Sequence, residues 1–336
     1  MQPFRYIRPR DQAAALEAGH ADGAAFIAGG TGLVDLLKLG VEKPLSLVDL
    51  AGAADLPAAI EETPEGIRIG ALARNSDVAY HPLVRRRLPV LSQALLSGAS
   101  PQLRNMATVG GNLLQRTRCA YFRDLAWPCN KRQPGSGCSA LDGDNRMHAV
   151  LGLEREGAGA DRCIAVHPSD MCVALVALDA VVHTQGPGGP RAIPVGELHL
   201  APGAHPEIET VLWPGELVTH VVVPVTPLAA RSHYLKVRDR ASYAFALASA
   251  AVALEVRGRA VHAARVALGG VATKPWRSRE AEQVLVGQPA ARATFQRAAV
   301  AALAGARPRA GNRYKLELAQ RVIVRALETA AAGRAT

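Results

Sequence analysis

Phe26-Ile27-Ala28-Gly29-Gly30-Thr31-Gly32-Leu33-Val34-Asp35-Leu36-Leu37-Lys38 passes from a short apolar run, through three glycines, into residues with helical spacing that stop at Gly40. The pattern predicts strand, turn and helix in succession. Glycines let backbone N–H groups come close to a pyrophosphate, and a helix starting near Leu33 adds its positive end. The spacing is not the Gly-x-Gly-x-x-Gly fingerprint of dinucleotide folds, so the likeness is one of mechanism, and a plain loop is the competing reading.

Further strands are expected at Ser46 to Asp49 and Ile67 to Gly70, with Asn75-Ser76-Asp77 capping a helix and another helix around Leu91 to Leu96. A second glycine element, Thr108-Val109-Gly110-Gly111-Asn112, follows. Two such turns in one domain can clamp a single diphosphate from both sides. After an irregular stretch from Arg116 to about Gly159, Cys163 to His167 reads as a strand, and Pro168-Ser169-Asp170 introduces an apolar helix from Met171 to Leu178. Asp170 suits a ribose or adenine hydrogen bond and equally a helix cap. Gln185 to Pro190 is a turn, Glu216 to Val223 a strand, and a domain boundary is expected at 224–231. Beyond it, strands at Ser232 to Val237, Phe245 to Val256 and Arg265 to Leu268, with helices near 278–287, 291–304 and 314–331, predict a smaller α+β domain.

All five cysteines lie between residues 119 and 172 of the 336, at Cys119, Cys129, Cys138, Cys163 and Cys172. There is no Cys-x-x-Cys knuckle, and disulfides would leave one thiol over. Four thiolates are what a 4Fe-4S cluster needs, and three of the cysteines stand in a loop rich in Gly, Pro and cationic residues. Cys163, opening a strand, is the better fourth ligand; Cys172 falls in an apolar helix, where a thiol is usually a small buried hydrophobe. Spacing alone leaves cluster, structural zinc, disulfides and inert thiols all open.

The chain is 49% apolar and 20% charged, a globular composition, and its length predicts more than one packed unit. A net charge of +10 invites a nucleic-acid reading, but aromatics are only 4% and the basic residues are scattered, so no nucleic-acid partner is expected. No run reaches the ~18 apolar residues of a membrane span, and the N-terminus lacks the apolar stretch of a secretory signal.

Taken jointly, Ala28-Gly29-Gly30-Thr31-Gly32-Leu33, Ala107 to Asn112, His167-Pro168-Ser169-Asp170, Lys236 and Ala267-Leu268-Gly269-Gly270-Val271-Ala272 resemble the flavin subunit of the xanthine dehydrogenase and carbon monoxide dehydrogenase group. Asn112 to Cys119, Cys129-Asn130-Lys131-Arg132 and Lys236 to Tyr243 are most similar to the FAD and iron–sulfur subunit of bacterial periplasmic aldehyde oxidoreductases. The resemblance implies an α+β fold, with a two-subdomain (PCMH-type) FAD-binding domain over 1–227, an iron–sulfur loop inserted at about 116–163, and a CO dehydrogenase flavoprotein type C-terminal domain over 228–336.

It further implies FAD held by Phe26, Ile27, Ala28, Gly29, Gly30, Thr31, Gly32 and Leu33 and by Thr108, Gly110, Gly111 and Asn112. Asp170 would stand on the adenosine side, Lys236 near the flavin and Arg118 beside the cofactor, while Cys119, Cys129, Cys138 and Cys163 would hold a 4Fe-4S cluster. The implied assembly is a heterotrimer with a molybdenum-cofactor subunit, where aldehyde is oxidised, and a small subunit with two 2Fe-2S clusters. Electrons would pass through this chain to an external acceptor. The implied location is the periplasm, by co-export with a signal-bearing partner, with the cytoplasm as alternative. Two other readings remain: a 4-hydroxybenzoyl-CoA reductase-like flavin and iron–sulfur subunit, and a zinc- or disulfide-bearing binding module.

Overall fold

The computed structural model describes residues 1–153 and 162–333, so the last part of the irregular stretch expected up to Gly159 lies outside the described residues. Three sheets organise the described residues. The first is parallel, with Ser46–Asp49 between Arg5–Ile7 and Ala24–Ile27. Its central strand is buried along its whole length, as a parallel strand covered on both faces must be. Helix Leu33–Lys38 leaves this sheet through the glycine turn, as the opening stretch predicts.

The second sheet has five antiparallel strands in the order Ile60–Thr63, Gly66–Gly70, Leu217–Val223, Val181–Gly186 and Gly189–Pro194. Helices Pro89–Ser97 and Asp170–Ala177 share its core with Ile67, Ile69 and Val221. The third sheet orders Trp276–Arg277, Ala260–Gly269, Ala248–Arg257 and Ser232–Val237, all antiparallel, under helices Arg279–Leu285, Arg292–Ala302 and Tyr314–Ala331. Between the second and third sheets lies a short helix, Pro227–Ala230.

Three local expectations need correction. Cys163 to His167 forms no strand: the Ile164 and Val166 carbonyls accept single bonds from Ala149 N–H and Thr117 Oγ1, which makes no ladder. Asn75, Ser76 and Asp77 are the first turn of helix Asn75–Tyr80 and not its cap, which is Arg74 without a side-chain bond. The second glycine element is itself helical, Val109–Leu113, with the Thr108 hydroxyl accepting from Gly111 N–H at 3.2 Å. The irregular stretch also contains a helical turn, Ala120–Arg123. Among the described residues, no helix is long and apolar enough to cross a membrane.

Candidate cofactor site

The two glycine elements touch through backbone. A Cβ on Gly29 would run into the Met106 carbonyl oxygen, so glycine at 29 is what allows residues 29–33 to lie against the segment leading into Thr108. That segment is fixed in turn: Asn75 N–H donates to Ala107 O at 2.8 Å, Val109 N–H to Ala73 O at 3.0 Å and Gly110 N–H to Ala71 O at 2.9 Å. Across from it, the N–H groups of Thr31, Gly32 and Leu33 have no acceptor among the described residues, and helix Leu33–Lys38 has no side-chain cap. Such a row of free donors suits a phosphate oxygen.

Arg118 supplies the cation. Its guanidinium lies near Gly32, stacks over Phe245 at 5.5 Å and donates to the Arg116 carbonyl, yet it has no ion-pair partner among the described residues. Burial and the neighbouring Arg123 charge lower its pKa, as expected of a cation short of counter-charge. A diphosphate provides that charge. These residues therefore fit the pyrophosphate of a dinucleotide. Arg118 also lines a 230 Å³ pocket with His148, Ser169, Asp170, Phe245 and Gly270.

Asp170 and Lys236, expected at different ends of the cofactor, are paired with each other at 2.7 Å, their side chains 9% and 3% exposed. Tyr234 OH donates to the other Asp170 oxygen at 2.5 Å, and Lys236 Nζ also reaches Ser97 O at 3.2 Å. Burial raises the Tyr234 pKa well above its usual range, so the phenol remains a donor. Sequence reasoning missed Tyr234, although strand alternation puts it on the Lys236 side of Ser232–Val237. Asp170 is also the first residue of its helix, whose cap is Ser169, accepting from Cys172 N–H at 3.0 Å.

In the cysteine loop, Cys129 and Cys138 face each other across an antiparallel bridge, and Cys119 packs beside Cys129. Each of Cys119, Cys138 and Cys163 is close enough to at least one of the others for their charges to interact. Burial pushes the Cys119 thiol up to about 11 and Cys163 to about 12, so the free thiols stay protonated until a cation binds. The loop is anchored by buried Lys131, which bonds Pro206 O at 2.7 Å and Glu209 at 2.8 Å, and by Arg132, which bonds the Tyr121 and Phe122 carbonyls. Cys172 stands apart from this group, in the helix. His148, which no sequence signal picks out, lies with Nε2 3.1 Å from Cys119 Sγ, and burial lowers its pKa to about 4.

Behind the pocket, the fully buried Lys315 ammonium donates to Met147 O at 3.0 Å and Gly270 O at 2.7 Å. Burial lowers its pKa from 10.5 to about 7, so between these values the unfolded chain binds the extra proton. Lys315 therefore makes stability rise with pH across that window, by at most about 1.4 kcal/mol per unit, and adds no slope below it. Thermal melting of wild type and Lys315→Met from pH 7 to 9 should show wild type gaining on the variant as pH rises; parallel curves would refute the assignment.

Two glycine elements in backbone contact, with a row of free N–H groups and a buried cation beside them, suit the diphosphate of a nucleotide cofactor on an α+β chain. The comparisons with known proteins agree: residues 2–226 match the FAD binding domain in molybdopterin dehydrogenase, and residues 233–330 match the CO dehydrogenase flavoprotein C-terminal domain. The chain belongs to this family of FAD-binding molybdenum hydroxylase subunits. It is 50% identical to the aldehyde oxidoreductase FAD-binding subunit PaoB of Escherichia coli K12, over 99% of both chains. To the carbon monoxide dehydrogenase medium chain of Afipia carboxidovorans it is 27% identical, over 98% of this chain and 97% of that one. Its fold superposes on reconstituted CO dehydrogenase from Oligotropha carboxidovorans with a TM-score of 0.76 at 26% identity, covering 99% of each chain.

Proposed function

We propose that this chain is the FAD and 4Fe-4S electron-transfer subunit of a molybdenum-containing aldehyde oxidoreductase. The observation that carries the aldehyde reading is the 50% identity, along the whole length, to an aldehyde oxidoreductase subunit. The flavin accepts electrons and passes them on; the chain binds and orients it. Thr31, Gly32 and Leu33 offer N–H groups, Arg118 balances the diphosphate charge, and the Asp170–Lys236 pair stiffens the pocket wall. Aldehyde oxidation belongs to a molybdenum-cofactor partner, and a small partner with two 2Fe-2S clusters delivers the electrons. An external acceptor takes them up, and the complex works in the periplasm after export on a partner's signal.

The cluster would be held by Cys119, Cys129, Cys138 and Cys163. Their sulfurs form no group of three within 4.8 Å. Ligands ~2.3 Å from a single tetrahedral zinc would lie closer together than that, which argues against one zinc held by three of them. His148 beside Cys119 Sγ and the cationic Lys131 beside Cys163 suit an anionic sulfur cluster. The test is iron, acid-labile sulfide and flavin content of the purified complex. Four iron and four sulfide beyond those of the small partner are expected, lost in Cys163→Ser and kept in Cys172→Ser. Iron retained in Cys163→Ser, or none extra in wild type, would remove the cluster and leave the FAD role standing.

A further inference from the structure

His167, Cys172 and His199 bring two imidazole nitrogens and a thiol sulfur within 4.8 Å of one another; among the described residues no other three His, Cys, Asp or Glu side chains do so. Cys172 is fully buried and His199 only 4% exposed. His199 Nε2 lies 2.8 Å from Leu113 O, an acceptor only, so Nε2 carries the ring proton and Nδ1 is a bare lone pair. That Nδ1 is buried without a partner, and so is His167 Nε2. Two orphaned ring nitrogens beside a buried thiol are costly unless something binds them.

We propose that His167, Cys172 and His199 form a site for one zinc ion, separate from the cysteine loop and assigned to no cofactor above. Two imidazoles and a thiolate are a borderline-soft donor set suited to zinc. The Leu113 carbonyl fixes the His199 tautomer, as backbone carbonyls commonly do behind metal-bound histidines. The Cys172 thiol gives its proton to solvent as the Zn–S bond forms, and no electron changes hands. Cys172 sits in the first turn of its helix, where the helix dipole favours the thiolate. His167 and His199 also line a 500 Å³ cavity, which would supply water for the fourth position. Ligation through His167 Nε2 moves that ring's proton to Nδ1, giving up only the long 3.4 Å bond from Ser169 N–H. The bound ion would tie the helix that carries Asp170 to the segment after Val195–Leu198.

The test uses the purified complex, stripped with a chelator and dialysed against Zn²⁺, with zinc counted per chain and its shell read by X-ray absorption. One zinc per chain is expected, with one sulfur at about 2.3 Å and two nitrogens at about 2.0 Å. Cys172→Ala and His199→Gln should each weaken zinc binding at least ~10-fold, flavin content reporting that the fold is kept. His199→Gln preserves a donor to Leu113 O; if it loses flavin, Cys172→Ala, which leaves both rings in place, decides the matter. Zinc no higher than in the Cys172→Ala/His199→Gln double variant would overturn the proposal. So would a shell of three or four sulfurs, which assigns the ion to the loop cysteines.

Discussion

Gly29→Ala should weaken flavin binding roughly ten- to a hundred-fold, the effect of overpacking that costs about 1–3 kcal/mol. The added methyl meets the Met106 carbonyl, which is backbone and cannot swing aside. Nor can its segment retreat, because Ala71, Ala73 and Asn75 hold it by three main-chain bonds. The two glycine elements must separate, and the free N–H groups of Thr31, Gly32 and Leu33 move away from Arg118. Gly32→Ala is the matched control: its methyl would lie 3.8 Å from Arg118 Nη2, ordinary contact. Flavin per chain, read from its absorbance after acid release, should fall sharply in the first variant and little in the second. Equal retention in both would mean that the two elements do not hold the cofactor jointly.

Legibility followed the range of the forces involved. Helix Leu33–Lys38 and strands Ser46–Asp49 and Ser232–Val237 came out with the predicted ends, because turn chemistry and apolar period are local. Ile60–Thr63 was invisible: it is an edge strand, Ile-Glu-Glu-Thr, whose two glutamates face solvent and break the apolar signal. At 163–167 the same apolar signal misled, since Ile164 is buried by neighbours that offer it no strand partner.

The site divides in the same way. Glycines 29, 30, 32, 110 and 111 mark two turns in the sequence itself. That Met106 is what Gly29 approaches comes only from the fold. Asp170 and Lys236 were each singled out, yet their pairing spans 66 positions and has no local signature. Cys172 reads as a small buried hydrophobe in the sequence and His199 carries no signal there, because the two rings and the thiol come together only once the helix after Ser169 packs beside Leu113.

Asp170→Asn should destabilise the chain by about 3–5 kcal/mol, the cost of leaving one partner of a buried ion pair uncompensated. The amide keeps the shape of the carboxylate but has one oxygen to offer where Lys236 Nζ and Tyr234 OH each use one now. Lys236 would have Ser97 O at 3.2 Å and at most the one amide oxygen as acceptors, and no negative charge beside a side chain only 3% exposed. Removing the cation as well, in Asp170→Asn/Lys236→Met, takes away the buried charge and should recover much of the loss. Thermal melting of the flavin-loaded complex ranks the three proteins: wild type highest, the double variant next and Asp170→Asn lowest. If the double variant instead melts below the single one, Lys236 stabilises the fold through the Ser97 carbonyl and its packing, and the ion pair is not what holds strand Ser232–Val237 to helix Asp170–Ala177.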